Sequence, residues 1–368
     1  MKTNLFRVGI SMQFFKTYSS NTLAGTGNQC HFSAPNGGVG RVFYKIRRGG
    51  QSNYSFLWSN ILDSTFASGA EFHKNMICDS WIVESVRAGV CASADPECQI
   101  ELIPVTFGGK LEKEVAPGEF FASDPVSLSP DAGDYICLEI AFRGNAIPFH
   151  QEIQIASYRK EGEGWFSSPK LPVPGMVGCD YPVKTRVAFF GDSITQGIGP
   201  AFNSYTHWNA VVAEHLPEEV ACWNIGLGYG RAEDAASGGA WMFKALQNDL
   251  IVVCFGVNDI NHYEDYEKTR YDLETIVTTL KKAGKKVLLQ TIPPFDYNPK
   301  RKEIWLRLNH YIKTELAPRV DAIFDTVPIL SPDSDHPEIA KYGGHPNEEG
   351  CRLWGEALAP VIQKLLDQ

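Results

Sequence analysis

Up to about Pro182, short runs of β-branched, aromatic and aliphatic residues are broken every ten or so positions by Gly, Pro, Asn or Asp, the rhythm of an all-β domain. The runs at residues 41–46, 54–58, 100–105, 135–142 and 152–156 are the strand candidates. From Thr185 the pattern changes. Strand-like apolar runs at 186–190, 219–225, 250–256, 286–291 and 322–325 alternate with amphipathic stretches such as 271–283 and 304–316. Continuous apolar strands separated by helices imply βαβ units, hence a parallel sheet covered on both faces. The proline-rich stretch Ser167-Ser-Pro-Lys-Leu-Pro-Val-Pro-Gly175 lies near the change. We therefore expect a β-sandwich, jelly-roll-like domain over residues 1–182 and an α/β domain over 183–368.

A length of 368 residues is enough for two domains that each bury a core. The net charge of -9 and pI near 5.5 argue against a nucleic-acid partner, because neutralising phosphates takes a basic face. No apolar run reaches the roughly 18 residues a membrane span needs. Val8-Gly-Ile-Ser-Met-Gln-Phe-Phe15 lacks the basic lead and small-residue cleavage site of a signal peptide. Nine scattered cysteines, several inside strand-like runs, read as reduced core residues, so a cytoplasmic protein is expected. No Cys-x2-Cys pair and no His pair at i, i+4 occurs, so neither a zinc site nor a cofactor is expected. Trp58, Trp81 and Trp165 are either sugar-stacking rings or core filler; large aromatics dominate cores, which favours the latter.

Four stretches in the second half carry chemistry. Val187-Ala-Phe-Phe-Gly-Asp-Ser-Ile-Thr-Gln-Gly197 ends a strand on a small-residue turn, placing Ser193 where open α/β sheets collect ligands. Trp223-Asn-Ile-Gly-Leu-Gly-Tyr-Gly-Arg231 follows a strand with glycines that let backbone N–H groups face outward. Its Gly-x-Gly-x-Gly spacing departs from the dinucleotide fingerprint. Phe255-Gly-Val-Asn-Asp259 places an amide side chain at a strand end, suited to a developing oxyanion. Tyr342-Gly-Gly-His-Pro-Asn-Glu-Glu-Gly350 sets His345 in a rigid loop ahead of a final amphipathic helix.

In this order the four stretches resemble the blocks of the SGNH (GDSL) hydrolase family. The resemblance covers about half the chain. It implies a flavodoxin-like three-layer α/β/α domain, Ser193 as nucleophile, His345 as general base, and an oxyanion hole from the Ser193 amide, a glycine-block amide and Asn258. Gapless counting puts the family's oxyanion glycine on Tyr229, next to Gly228. Where the family usually has Asp three residues before the His, this chain has Tyr342. Asp333 and Asp335 are the substitutes in the loop upstream; otherwise a backbone carbonyl orients the ring. Val105-Thr-Phe-Gly-Gly-Lys110, Ala116-Pro-Gly118, Ser123-Asp-Pro-Val126 and Trp58-Ser-Asn60 also resemble the β-sandwich that precedes the hydrolase domain in some bacterial members related to carbohydrate esterases.

The expected reaction is hydrolysis of a short-chain, acetyl ester of a carbohydrate or small molecule through an acyl-enzyme, without a metal. A lipase or thioesterase on the same machinery, and a decayed glycan-binding protein, are the alternatives. Neither nucleic acid nor membrane is an expected partner, and the sequence leaves the oligomeric state open.

Overall fold

The computed structural model describes residues 7–8, 13–64, 74–331 and 333–368. The chain divides into two compact units, Met1–Val183 and Lys184–Gln368.

The first unit is built from largely antiparallel strands. Asn36–Lys45, Tyr135–Gly144 and Trp81–Cys91 form the centre of a seven-stranded sheet, and Ser52–Ser59 is the hub of a six-stranded one. The two sheets share an aromatic core. Trp58 stacks on Phe121 at 5.4 Å, and Trp81 from the other sheet meets the same ring edge-on at 6.0 Å. Trp58 and Trp81 are each 2% exposed, so neither is a sugar platform. Trp165 is half-buried on Gly164–Ser167, with the Arg41 guanidinium 4.6 Å above its ring.

Two of the strand expectations are corrected here. Residues 152–156 are not a strand; the strand is Ser157–Glu161. Ile153 and Ile155 are buried, so the apolar alternation is real. The backbone there finds other partners: the Glu152 amide donates to the Gln29 side chain, and pairing with the neighbouring strand begins only with the Phe43 amide on the Ala156 carbonyl. Burial sets the period, but a ladder also needs an adjacent strand edge. Of residues 100–105 only Ile103–Val105 is strand.

The second unit is a five-stranded, all-parallel sheet. Its strands are β1 (Thr185–Gly191), β2 (Val220–Asn224), β3 (Leu250–Cys254), β4 (Lys286–Gln290) and β5 (Ala322–Phe324), ordered β2-β1-β3-β4-β5. This is the flavodoxin-like order, in which the chain reverses direction across the sheet beside β1. Every residue of β2 and β3 is buried, as a sheet covered on both faces requires. Successive side chains of β1 show the two layers. Phe189 meets Trp208 edge-on at 5.3 Å, whereas Phe190 meets Trp241 and Phe255 at 5.1 and 5.0 Å.

The helices used below are α1 (Ser193–Gln196), α2 (Trp208–Glu214), α3 (Ala232–Ala236), α4 (Gly239–Ala245), α5 (Val257–Tyr263), α6 (Tyr266–Lys282), α7 (Pro299–Tyr311) and α8 (Glu348–Leu366). Each of α1, α6, α7 and α8 starts on an Asp or Asn whose side chain accepts a first-turn amide. The amphipathic pattern expected over 304–316 changes pitch at its end, with Ile312–Leu316 forming a π-helical turn.

Candidate active site

β1 runs apolar to Phe190 and stops at Gly191, where an added Cβ would run into the Thr195 side chain and the Cys254 carbonyl. The tight turn therefore needs glycine there. Asp192 then caps α1, its Oδ1 accepting from the Ile194 amide at 3.0 Å, which makes Ser193 the first helical residue. The N–H of such a residue has no intrahelical acceptor. Gly197 ends α1 at φ 116, donating back to the Ser193 carbonyl at 3.1 Å.

A four-residue helix cannot satisfy its own carbonyls, and neighbouring side chains do so instead. Trp208 Nε1 donates to the Ile194 carbonyl (3.1 Å), Asn209 Nδ2 to Thr195 (2.5 Å) and Asn224 Nδ2 to Gln196 (3.1 Å). The turn that carries Ser193 is thus held by side chains of α2 and β2.

His345 comes from the far end of the unit. Its Nε2 lies 2.7 Å from Ser193 Oγ. For the hydroxyl to donate, Nε2 must be the unprotonated nitrogen, so the ring proton sits on Nδ1. Ser193 is 8% exposed and His345 half-buried. The loop is closed on itself, with the Asn347 amide on the Tyr342 carbonyl at 3.0 Å and the Cys351 thiol on the Pro346 carbonyl at 3.3 Å. Gly199, at φ 127, packs against the His345–Pro346 backbone, and Phe295 meets the imidazole edge-on at 5.6 Å. Neither Gly199 nor Phe295 carries a signal in the sequence; each acts by shape.

Among the described residues, His345 Nδ1 has no hydrogen-bond partner. Asp333 and Asp335 do not fill that place. Both are exposed, and Asp333 Oδ1 instead accepts from the Asp335 and His336 amides at 2.9 and 3.3 Å. Burial alone shifts the imidazole, holding it below the ordinary histidine value, with no carboxylate raising it. A buried ring that loses hydration disfavours its charged form, so His345 is neutral at pH 7.

The glycine block differs from expectation at Gly228. Its amide donates to Gln196 Oε1 at 2.5 Å, so it is committed to α1 and is not aimed at a substrate oxygen. The amides of Gly226, Leu227 and Gly230 are likewise taken, by Asn224 Oδ1, the Gly191 carbonyl and the Leu227 carbonyl. Tyr229 adopts φ 55, the left-handed conformation. Gln196 was not recognised from sequence as part of the site; a lone Gln in a helix has no distinguishing pattern. Asn258 lies half-buried at the start of α5, after β3, and its Nδ2 donates to the Gly230 carbonyl at 2.9 Å.

Two buried carboxylates flank these groups in the chain. Asp192 and Asp259 are each pushed up to about 7, in both cases first by burial; nearby carboxylates add to it, Asp259 acting on Asp192, and Asp234 and Asp272 on Asp259. Among the described residues no group of three or more His, Cys, Asp or Glu side chains is placed to hold a metal ion. No helix among them is long and apolar enough to cross a membrane, and none of the nine cysteines is in a disulfide.

Residues 189–353 match the model of the GDSL-like lipase/acylhydrolase family. No curated protein sequence matches the chain. Solved structures similar to it include a putative lipolytic protein of the G-D-S-L family from Desulfitobacterium hafniense, at 20% identity over 48% of this chain and 99% of that one, with a TM-score of 0.42. The esterase EstA from a Pseudoalteromonas species is 15% identical over 50% of this chain and 100% of that one, with a TM-score of 0.41. Axe2, an acetylxylan esterase from Geobacillus stearothermophilus, is 19% identical over 49% of this chain and 95% of that one, also with a TM-score of 0.41.

Proposed function

We propose, from the premise that residues 189–353 belong to the GDSL-like lipase/acylhydrolase family, that this chain is a serine esterase removing a short acyl group, acetyl, from a carbohydrate or small-molecule ester. The observation that carries the reading is the 2.7 Å approach of Ser193 Oγ to His345 Nε2 at the carboxyl edge of a parallel sheet.

In this reading Ser193 Oγ attacks the ester carbonyl carbon while its proton passes to His345 Nε2. The carbonyl electrons collect on oxygen, held by the Ser193 amide and the Asn258 side chain, with the Tyr229 amide as the third candidate donor. The tetrahedral species collapses, His345 returns the proton to the departing alcohol oxygen, and an acyl-Ser193 ester remains. Water then loses a proton to the same imidazole and attacks the acyl carbon, releasing the acid and restoring the hydroxyl. With no carboxylate beside Nδ1 among the described residues, the imidazolium is less well stabilised. That slows the step rather than abolishing it, because the oxyanion donors and substrate binding contribute independently.

The test is hydrolysis of p-nitrophenyl acetate and octanoate by the protein and its Ser193→Ala variant, with fluorophosphonate labelling of Ser193 alongside. Acetate hydrolysis that needs Ser193 and exceeds octanoate hydrolysis supports the proposal. A preference for octanoate moves the assignment to a lipase. Absence of both turnover and labelling, with glycans still bound, moves it to a decayed binding protein.

A further inference from the structure

The residue given the oxyanion role, Asn258, is the second residue of a seven-residue helix, too short to hold its own orientation. The structure shows what holds it. Three consecutive residues, the last two of the glycine block and the first of α3, are each tied to α5 by a different side chain. The Gly230 carbonyl accepts from Asn258 Nδ2 (2.9 Å), the Ala232 amide donates to Asp259 Oδ2 (2.9 Å), and Arg231 Nη1 donates to Tyr263 Oη (2.5 Å).

Arg231 lies between the other two, with its side chain fully buried, 0% exposed. Asp234 holds its guanidinium at two points, 3.0 Å from Nε and 2.7 Å from Nη2. Asp234 Oδ2 also takes the Arg231 amide at 3.0 Å. Tyr263, accepting from Arg231, donates its own proton to Glu233 Oε2 at 2.5 Å, and Lys268 pairs with that carboxylate at 3.0 Å. A bidentate arginine pair in a dry site fixes direction as well as distance.

We infer that Asp259, Arg231 and Tyr263 are positioning residues for the oxyanion hole, acting through Asn258; this rests on the esterase reading above. An amide nitrogen carries two hydrogens. The Gly230 carbonyl takes one, which fixes the plane of the side chain, and the other is directed to the substrate oxygen. Asp259 and Tyr263 keep the Gly230 carbonyl and Asn258 in register, one at each end of α5. A donor misplaced by about 1 Å loses much of its effect on the transition state and little on ground-state binding.

The experiment is a set of double-mutant cycles with p-nitrophenyl acetate. Asp259→Ala is expected to lower kcat about 10- to 100-fold with KM within about twofold, the signature of a lost transition-state interaction. Asp259→Asn keeps an oxygen to accept from the Ala232 amide and is expected to stay within about threefold of the parent. In an Asn258→Ala background the Asp259→Ala effect should shrink to about threefold or less, because the donor it positions is gone. Should Asp259→Ala fail to fold, Tyr263→Phe keeps the ring and removes only the hydroxyl. It is expected to lower kcat about three- to tenfold, again only when Asn258 is present. Losses that multiply independently of Asn258, or an unchanged kcat in a folded Asp259→Ala or Tyr263→Phe protein, overturn the inference. Hydrolysis that survives Ser193→Ala overturns the esterase reading instead, so the two failures are told apart.

Discussion

Trp208 and Trp354 lie stacked, ring centroids 4.8 Å apart and planes 10° from parallel, each fully buried. Trp208 opens the helix after the Ser193 turn and donates to the Ile194 carbonyl, while Trp354 lies on the helix after the His345 loop and donates to Gln290 Oε1 at 2.8 Å. The stack therefore joins the two segments that bring Ser193 and His345 together. Gly355 permits it, since a Cβ there would press on the Trp208 carbonyl and Val211.

Trp354→Ala should cost about 3–5 kcal/mol of stability, the range for emptying a large aromatic from a packed core. Urea unfolding followed by near-UV circular dichroism measures it. A loss under about 1 kcal/mol would mean that the stack is not holding these helices together.

Gln196→Ala removes the acceptor of the Gly228 amide and leaves a buried donor unpaired, a cost of about 1–3 kcal/mol. Because that bond joins α1 to the glycine block, kcat is expected to fall about tenfold, whereas Gln196→Glu, which keeps an accepting oxygen, should fall less. Steady-state kinetics of the two variants against acetate ester decide it, and equal losses would argue against the acceptor role.

Asp333→Ala and Asp335→Ala should leave kcat/KM within about twofold of the parent. Both carboxylates are exposed, and that of Asp333 accepts from the Asp335 and His336 amides of its own loop; surface changes of this kind rarely exceed about 0.5 kcal/mol. A tenfold drop in either variant would return that residue to the imidazole.

The acid limb of the kcat/KM profile should fall below the ordinary histidine value of 6.5, because burial holds His345 low and only the neutral ring takes the serine proton. As pH drops through that depressed value the base is lost, and activity with it. Stability has the same sign. The unfolded chain binds a proton near 6.5 that the folded one refuses, so this group's contribution is present above 6.5 and shrinks as pH falls toward the folded value. His207, fully buried and pushed down to about 4 by that burial, adds to this between 6.5 and 4. Activity measured from pH 4 to 8 at constant ionic strength checks the limb, and an inflection above 6.5 would contradict it.

How much of this was legible in the chain follows from range. Strand and helix periods in the second unit are local, so the order of its elements and the glycine turn before Ser193 could be read from neighbouring residues. The same holds for the alternating runs of the first unit, except where alternation lacked a partner strand, as at 152–156. The site is another matter. That Ser193 and His345, 152 positions apart, meet at 2.7 Å is decided by which strands adjoin in the sheet. That the Gly228 amide turns to Gln196, that Asp333 and Asp335 face solvent, and that Arg231 is sealed between Asp234 and Tyr263 depend on side-chain packing between segments distant in sequence. Periodicity marks which face of an element is buried; only the folded arrangement assigns each polar atom its partner, because a hydrogen bond is made by proximity and angle that no residue carries alone.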